Sequence, residues 1–182
     1  LFNAAASGQT ETIALLIDAG ADVGAVSSRG LRPLELAIRG GHPQAALALI
    51  QAGADVNVTL EDGETLLMHA SRSPNGAGMV EALLDGGADV SLKDRYRETA
   101  LSRAAWSGSV ETINKLVDAG ANVNVRLKRG HRPLSRALNN EKFDLAIALV
   151  EAGADVNFRF SNDQTPLLHV ADGVTDDKLI KV

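Results

Sequence analysis

A short phrase, Gly-Ala-Asp or its near copy Gly-Ala-Asn, returns five times in this chain, each time separated by two residues from a preceding pair of branched apolar residues. The glycines are separated by 33 or 34 residues, and they are Gly20, Gly53, Gly87, Gly120 and Gly153. A period of this length is typical of a solenoid, in which each unit buries its apolar face only by stacking on its neighbours. We therefore expect function to lie on an extended surface rather than in a closed pocket.

Each period predicts two short helices followed by an extended arm with a tight turn, which we call a finger. Apolar residues at i, i+3 and i+4 mark one buried face on each helix. A recurring Thr or Pro suits the start of the first helix, so the starts at Arg32 and Arg132 are expected to be weaker by ~1 kcal/mol. We expect left-handed glycines to end the helices, at Ser7-Gly8, Gly40-Gly41, Ser107-Gly108 and the recurring Gly-Ala. The Asp after Gly-Ala is expected to turn onto its own backbone.

The order helix, turn, helix, Gly-Ala-Asp-Val-Asn, finger and a phrase close to Thr-Pro-Leu-His resembles an ankyrin repeat over the whole chain. The resemblance implies an all-α ankyrin-repeat solenoid, with stacked helix-turn-helix units, β-turn fingers and one array over residues 1–182. The predicted units are a partial one at 1–26, whole ones at 27–59, 60–93, 94–126 and 127–159, and a partial or capping one at 160–182.

The chain departs from the family pattern at two positions. The His of the family phrase is replaced in every copy, so its usual hydrogen bond to a neighbouring finger is not expected; the replacements are Glu35, Met68, Ser102, Ser135 and Leu168. The Asp that starts a family finger survives only as Asp94. Where Leu60, Leu127 or Phe160 stands instead, we expect the finger to pack by apolar contact.

Nothing in the sequence assembles into a catalytic or metal site. The chain has no cysteine, and its four histidines lie in different repeats without metal-ligand spacing. The acidic residues recur at fixed repeat positions near the second-helix ends, which is typical of a solvated face. We therefore expect no enzyme activity and no cofactor.

The resemblance implies that partners bind the concave surface made by the fingers and the first helices. Tyr96 and Trp106, the single Tyr and the single Trp of the chain, both fall on that surface in one repeat. Trp, Tyr and Arg are enriched among interface hot spots, although both rings could instead simply cover local backbone. The candidate partner-binding residues are Arg72, Arg95, Tyr96, Trp106, Lys128, Arg129, His131 and Asn139.

Charge also distinguishes the middle of the array. Cations cluster in the fingers at 93–97 and 126–132, whereas the chain as a whole has a net charge of -5. This arrangement predicts an adaptor or scaffold that binds another protein through an acidic segment. One alternative is a phosphate-bearing ligand on the same fingers, although the overall charge disfavours nucleic acid and membrane. A second is a regulatory or targeting segment of a larger enzyme or secreted effector.

Three further expectations concern the chain in its setting. Asn57, Asn124 and Asn157 each follow a Leu by eight residues and resemble asparagines that an oxygenase hydroxylates in animal ankyrin repeats, although the fold already demands both features. No apolar run reaches the ~18 residues of a membrane span, and we expect a cytoplasmic monomer. Because the chain starts on Leu1 inside a repeat, residues upstream are also expected.

Overall fold

The fold is a row of short helices. The computed structural model describes residues 1–60, 63–159, 164–166 and 168, with Arg129 described by its backbone only. The helices within these residues are α1 Phe2–Ala6, α2 Thr10–Asp18, α3 Pro33–Gly40, α4 Pro43–Gln51, α5 Leu66–Ser71, α6 Ala77–Asp85, α7 Ala100–Ser107, α8 Val110–Asp118, α9 Pro133–Asn139 and α10 Phe143–Glu151. A short 3₁₀ turn spans Lys128–Gly130. The described residues contain no strand, only an isolated antiparallel bridge between Thr59 and Thr65.

The helices stack in two parallel rows. The inner row runs α1, α3, α5, α7, α9 and the outer row runs α2, α4, α6, α8, α10, with each helix packed against its neighbours in the row. The two helices of each pair also pack against each other. This nearest-neighbour arrangement confirms the predicted all-α solenoid. The last predicted unit, 160–182, lies outside the described residues except at 164–166 and 168.

Small aliphatic side chains build the core between the rows. One alanine recurs at the same position of every inner helix and is buried each time, as Ala4, Ala37, Ala70, Ala104 and Ala137. A buried leucine stands three residues before it in four of the five helices, as Leu34, Leu67, Leu101 and Leu134. Because the distance between packed helices depends on the side chains at the contact, the alanine column lets the inner helices approach closely.

The Gly-Ala-Asp phrase forms the same turn in each repeat. Gly120, for example, has a φ of 89°, in the left-handed region that glycine adopts without a steric cost. Its partner Asn122 accepts a hydrogen bond at Oδ1 from the Asn124 amide at 2.9 Å. The corresponding Asp residues accept the same bond in the other four turns, as Asp22, Asp55, Asp89 and Asp155. Both expectations for this phrase are confirmed.

Two of the asparagines that follow this turn join adjacent repeats. Asn124 donates from Nδ2 to the Gly153 carbonyl at 3.1 Å and accepts at Oδ1 from the Asp155 amide at 2.7 Å. Asn57 makes the same pair of bonds one interface earlier, to Gly87 and Asp89. The recurring Asn therefore has a structural role, whereas its hydroxylation stays a prediction.

One glycine expectation is wrong. Gly8 and Gly41 end their helices with positive φ as predicted, but Gly108 has a φ of -77° and a ψ of -152°. A Cβ at Gly108 would lie 2.6 Å from the carbonyl oxygen of Ser71 and 2.8 Å from that of Ala104. Glycine is needed there for close approach of neighbouring backbones, not for a left-handed conformation.

The inner helices α5 and α7 begin at capping threonines, as the sequence predicts, and serines supply a further capping bond in α7 and α9. Thr65 and Thr99 accept bonds from the backbone amides of Met68 and Ser102. Ser102 Oγ accepts in return from the Thr99 amide at 2.9 Å, which completes a capping box. Ser135 accepts from the Arg132 amide at 2.8 Å, so the start without Thr at that position is partly satisfied by the serine.

Candidate functional site

Two fingers and the inner helices beside them enclose a recess of about 630 Å³ in the middle of the array. We call it the groove. It contains two aromatic rings, three arginines, one lysine, one histidine and one carboxylate. Its lining consists of Arg72, Tyr96, Glu98, Ser102, Arg103, Trp106, Ser107, Lys128, His131 and Arg136.

The two aromatic rings of the groove remain nearly half exposed, and cations lie against both. Trp106 on α7 is 47% exposed, and the Arg136 guanidinium lies over its ring at 5.0 Å from the centroid. Tyr96 on the finger is 45% exposed, with Arg95 at 5.0 Å and Lys128 at 5.8 Å from its centroid. Cation–π contacts of this kind hold the ring and the cation in a fixed relation.

Asp94 organises the finger that carries Tyr96. Its Oδ1 accepts from the amides of Tyr96 at 2.8 Å and Glu98 at 2.9 Å, which closes the turn. Its Oδ2 accepts from Arg103 Nη2 at 2.6 Å, which ties the finger to α7. Both carboxylate oxygens are therefore used inside the protein, and Arg103 is held at the floor of the groove.

Glu98 ties the same finger to the next repeat, as Asp94 ties it to α7. It accepts a bond from Ser102 Oγ at 2.6 Å and an ion-paired bond from Arg136 on the next inner helix. The residue is 5% exposed, so it is a buried anchor rather than a surface group. This pair links the finger that carries Tyr96 to α9 and fixes Arg136 beside Trp106.

Glu64, His69 and Arg72 form a third cluster at the edge of the groove. His69 Nδ1 lies 3.5 Å from Glu64 Oε2, Arg72 Nη1 lies 3.7 Å from Glu64 Oε1, and Arg72 Nη2 lies 3.1 Å from His69 Nδ1. The pKa of Glu64 is lowered, chiefly by the hydrogen bond from His69 and further by the positive charges of Arg72 and Arg103, against the opposing effect of burial. The carboxylate is therefore stabilised in its charged form.

These three ion pairs and that of Glu35 with Arg39 on α3 share one arrangement: the carboxylate is buried or nearly so, and the cation is more exposed. Side-chain exposures are 4% for Glu35 and 48% for Arg39, 13% for Glu64 and 47% for Arg72, 1% for Asp94 and 28% for Arg103, and 7% for Glu98 and 24% for Arg136. Because the carboxylate of each pair is less exposed than its cation, these pairs present positive charge on the surface of the inner helices and fingers, although the chain as a whole is acidic.

The sequence match agrees with the stacked geometry. The family model described as ankyrin repeats matches in three copies, over residues 1–60, 48–127 and 101–173, which together span most of the chain. The chain belongs to the ankyrin repeat family. Ankyrin repeats are generic protein-protein interaction modules, so this array is of a kind that binds other proteins.

Three curated relatives match parts of this chain. Ankyrin repeat protein nuc-2 of Neurospora crassa is 35% identical over 106 residues, 57% of this chain and 10% of its own. Human protein phosphatase 1 regulatory subunit 27 is 39% identical over 64 residues, 35% of this chain and 42% of its own. Human ankyrin repeat and SOCS box protein 16 is 30% identical over 104 residues, 57% of this chain and 23% of its own. This chain thus spans less than half the length of each.

Five of the eight candidate residues line the groove of the ankyrin array, namely Arg72, Tyr96, Trp106, Lys128 and His131. Arg95 contacts the Tyr96 ring without lining the groove. Asn139 is exposed and is not part of the lining, and the side chain of Arg129 lies outside the described part of the structure. That these residues bind a partner stays a prediction.

Arg103 and Arg136 are the cationic groove residues that the sequence reasoning missed. They stand 33 residues apart and occupy the same position on α7 and α9, two residues after the helix-start Leu101 and Leu134 counted along the chain. A basic residue repeated at one inner-helix position was the available signal. Glu98 also belongs to the groove lining, but its carboxylate is buried and already paired with Arg136.

The described residues contain no group of three or more His, Cys, Asp or Glu side chains that could hold a metal ion. No helix among them is both long enough and apolar enough to cross a membrane.

Proposed function

We propose that this ankyrin array is a non-catalytic adaptor or scaffold that binds another protein in the groove, through an acidic segment of that partner. The observation that carries the proposal is the difference in burial within the ion pairs: each carboxylate is largely buried, whereas the arginine paired with it is partly or fully exposed. A carboxylate of the partner would meet cations on the surface and would be kept away from the negative charges below. Electrostatic complementarity of this kind favours encounter and specificity.

Preorganisation supports the same proposal. Arg103 and Arg136 are already fixed by Asp94 and Glu98, so a partner would not have to immobilise two flexible side chains on binding. Trp106 and Tyr96 add apolar area at the centre of the charged lining. Interfaces commonly concentrate their binding energy in such Trp, Tyr and Arg groups.

The relatives support a regulatory role exerted through binding. One of them is named a regulatory subunit of a protein phosphatase, and the match to it lies in the ankyrin repeats. Within a longer protein, this array would supply the partner-binding segment and other parts of the chain would supply any chemistry. The described residues of the groove offer cations and aromatic faces for recognition.

The experiment compares the parent with the double variant Trp106→Ala, Tyr96→Ala, and with Lys142→Gln as a matched control. Lys142 is an exposed cation outside the groove. Each protein is checked by circular dichroism and then titrated against an immobilised set of acidic, neutral and basic peptides. We expect the parent and Lys142→Gln to retain the acidic peptides and the double variant to lose them at least tenfold, as hot-spot truncation does.

Equal retention by a folded double variant would contradict the groove assignment. Adding a short oligonucleotide and anionic lipid vesicles to the set tests the phosphate-bearing alternative. Tight binding to those probes, falling steeply between low and physiological salt, would favour a phosphate ligand over an acidic protein segment.

A further inference from the structure

A second recess adjoins the groove on the side of the earlier repeats. It has a volume of about 390 Å³, and the ionisable side chains in its lining are Arg39, His69 and Arg72. Arg72 and Ser107 line the groove as well. Because the two recesses share these side chains, they are neighbouring parts of one continuous surface.

One position of the inner helices connects the two recesses. It lies five residues after the recurring buried leucine, and in four successive repeats it is occupied by Arg39, Arg72, Trp106 and Asn139. All four residues are exposed. The inner helices of these repeats pack in order, α3 on α5, α5 on α7 and α7 on α9. Arg39 therefore extends, by one repeat, the row of exposed side chains that already includes Arg72 and Trp106.

Arg39 shows the same difference in burial as the arginines of the groove. Its Nη2 lies 2.9 Å from Oε1 of Glu35, one turn earlier on α3. The Arg39 side chain is 48% exposed, whereas that of Glu35 is 4% exposed. A guanidinium carries five N–H donors, so donors remain for a ligand. A carboxylate in the second recess would therefore contact cations while the Glu35 charge stays buried.

The second recess differs from the groove in its apolar surface. The described residues that line it include no Trp, Tyr or Phe. Its largest apolar members, Ile38 and Met79, are only 2% and 5% exposed. The groove, in contrast, offers the half-exposed rings of Tyr96 and Trp106 beside its cations. Recognition in the second recess thus depends on charge, which suits an acidic side chain without an apolar neighbour.

We propose that the acidic segment of the partner continues past the groove and places further carboxylates in the second recess, against Arg39. This inference rests on the proposed function and adds a second subsite to it. Arg72 lines both recesses and lies where the segment crosses from one to the other. Arg39 lines the second recess alone, so it separates the contribution of this subsite from that of the groove.

The test uses three neutral-frame peptides without Trp. Packed helices lie about 8–10 Å apart, so an extended peptide of about sixteen residues is long enough to span α3 to α9. One peptide carries two glutamates in each half. The other two carry glutamates in one half and glutamines in the other, in the two possible orders. Fluorescence of Trp106, the single Trp of the chain, reports binding in the groove, and calorimetry measures the affinities independently.

The decisive variant is Glu35→Gln with Arg39→Gln. It removes the cation together with its buried carboxylate, so the net charge is unchanged and no buried charge is left unpaired. Glu35→Gln alone keeps the cation and is the matched control, and Lys142→Gln removes an exposed cation that lines neither recess. We expect the double variant to bind the peptide with glutamates in both halves about fivefold more weakly than the parent, as loss of a partly exposed ion pair would cause. Its affinity for the other two peptides, and all affinities of the controls, should match those of the parent.

A second measurement needs no variant and covers the case in which the double variant fails to fold. His69 lines the second recess and not the groove. In NMR spectra of the parent, the ring signals of His69 should therefore shift with the peptide that has glutamates in both halves and stay in place with the other two.

The outcomes that would overturn the inference have different meanings. If the double variant binds every peptide as the parent does, or if the His69 signals do not move, the second subsite is wrong while peptide binding at Trp106, the proposed function, still stands. If no acidic peptide binds the parent, the proposed function fails as well. Binding of a short oligonucleotide instead, weakened in the double variant, would assign the recess to phosphate.

Discussion

At the scale of single residues, the properties of the groove depend on which member of each ion pair is buried and which remains exposed to solvent. The sequence was sufficient to locate Tyr96 and Trp106, because a rare residue type at a known repeat position is visible in the chain alone. It was not sufficient to show that Glu98 is buried while Arg136 stays partly exposed, since this difference depends on a contact between residues 38 positions apart. A sequence shows how many charges a segment carries, but not which of those charges are buried in the fold.

Arg97 occupies the finger position that three other repeats fill with glycine, Gly30, Gly63 and Gly130, and it has a φ of 62°. A left-handed conformation costs a residue other than glycine about 1–2 kcal/mol, part of which the flexibility of glycine in the unfolded chain offsets. Arg97→Gly should therefore raise the free energy of unfolding by about 0.5–1 kcal/mol in urea denaturation. Lys93→Gly, at a position without positive φ, should lower it. A loss of stability in Arg97→Gly would contradict the account.

The lowered pKa of Glu64 predicts that the free energy of unfolding decreases in acid. Its pKa is lowered in the folded state, so its contribution is fully present above the unfolded value near 4.5 and is lost as pH falls through the folded value. Glu64→Gln should lower stability at neutral pH, and its stability should fall less than that of the parent between pH 5 and pH 3. Thermal unfolding across this range measures both effects. Parallel curves for the two proteins would refute the role of the Glu64 charge.

At the scale of elements, helix starts were predictable where one residue does the capping and not where two cooperate. Thr65 and Thr99 cap as their residue type indicates. Ser102 and Ser135 were identified only as replacements for the family His, yet each accepts the backbone amide that begins its helix. A serine inside a helix pattern does not reveal which backbone group its hydroxyl will meet. Gly108 shows the same limit, because its need for close approach arises partly from Ser71 of the preceding repeat.

Ser102→Ala tests the capping arrangement of α7. The hydroxyl accepts from the Thr99 amide and donates to Glu98, and both groups are buried. Its removal should lower the free energy of unfolding by about 1–2 kcal/mol. Ser107→Ala, which removes one exposed hydroxyl bond to Arg72, is the matched control and should cost clearly less. Similar losses for the two variants in urea denaturation would contradict a special role of the Ser102 cap.

At the scale of the whole molecule, the solenoid was predictable because its stability is built from repeated local interfaces. The period, the paired helices and the left-handed glycine turns all follow from short-range patterns that the sequence repeats. The bonds that couple one repeat to the next were not predicted, since Asn57 and Asn124 reach residues about 30 positions away. Coupling between repeats determines how cooperatively the array unfolds.

Asn124→Ala tests this coupling. The substitution removes two bonds across one interface, to the Gly153 carbonyl and from the Asp155 amide. We expect a loss of about 1–2 kcal/mol and a broader denaturation curve, because the last repeats can then open separately. Asn114→Ala, on the exposed face of α8, should keep the stability and the sharp transition of the parent. An unchanged transition in Asn124→Ala would show that apolar stacking alone couples these repeats.

The Gly-Ala-Asp turn has a further consequence, which concerns chirality. At each of the five glycines a Cβ of ordinary L configuration would meet no atom within 4 Å, and what disfavours it there is the positive φ. A mirror-image residue prefers that φ, so chemical synthesis with D-alanine at position 120 should preserve the turn and restrict the unfolded chain. We expect a gain of about 0.4–1 kcal/mol, measured by thermal unfolding, where L-alanine would cause a loss. Because the five turns lie in different repeats, the gains should add. An array with D-alanine at all five glycines would then be more stable only because the configuration at those five Cα atoms matches the positive φ.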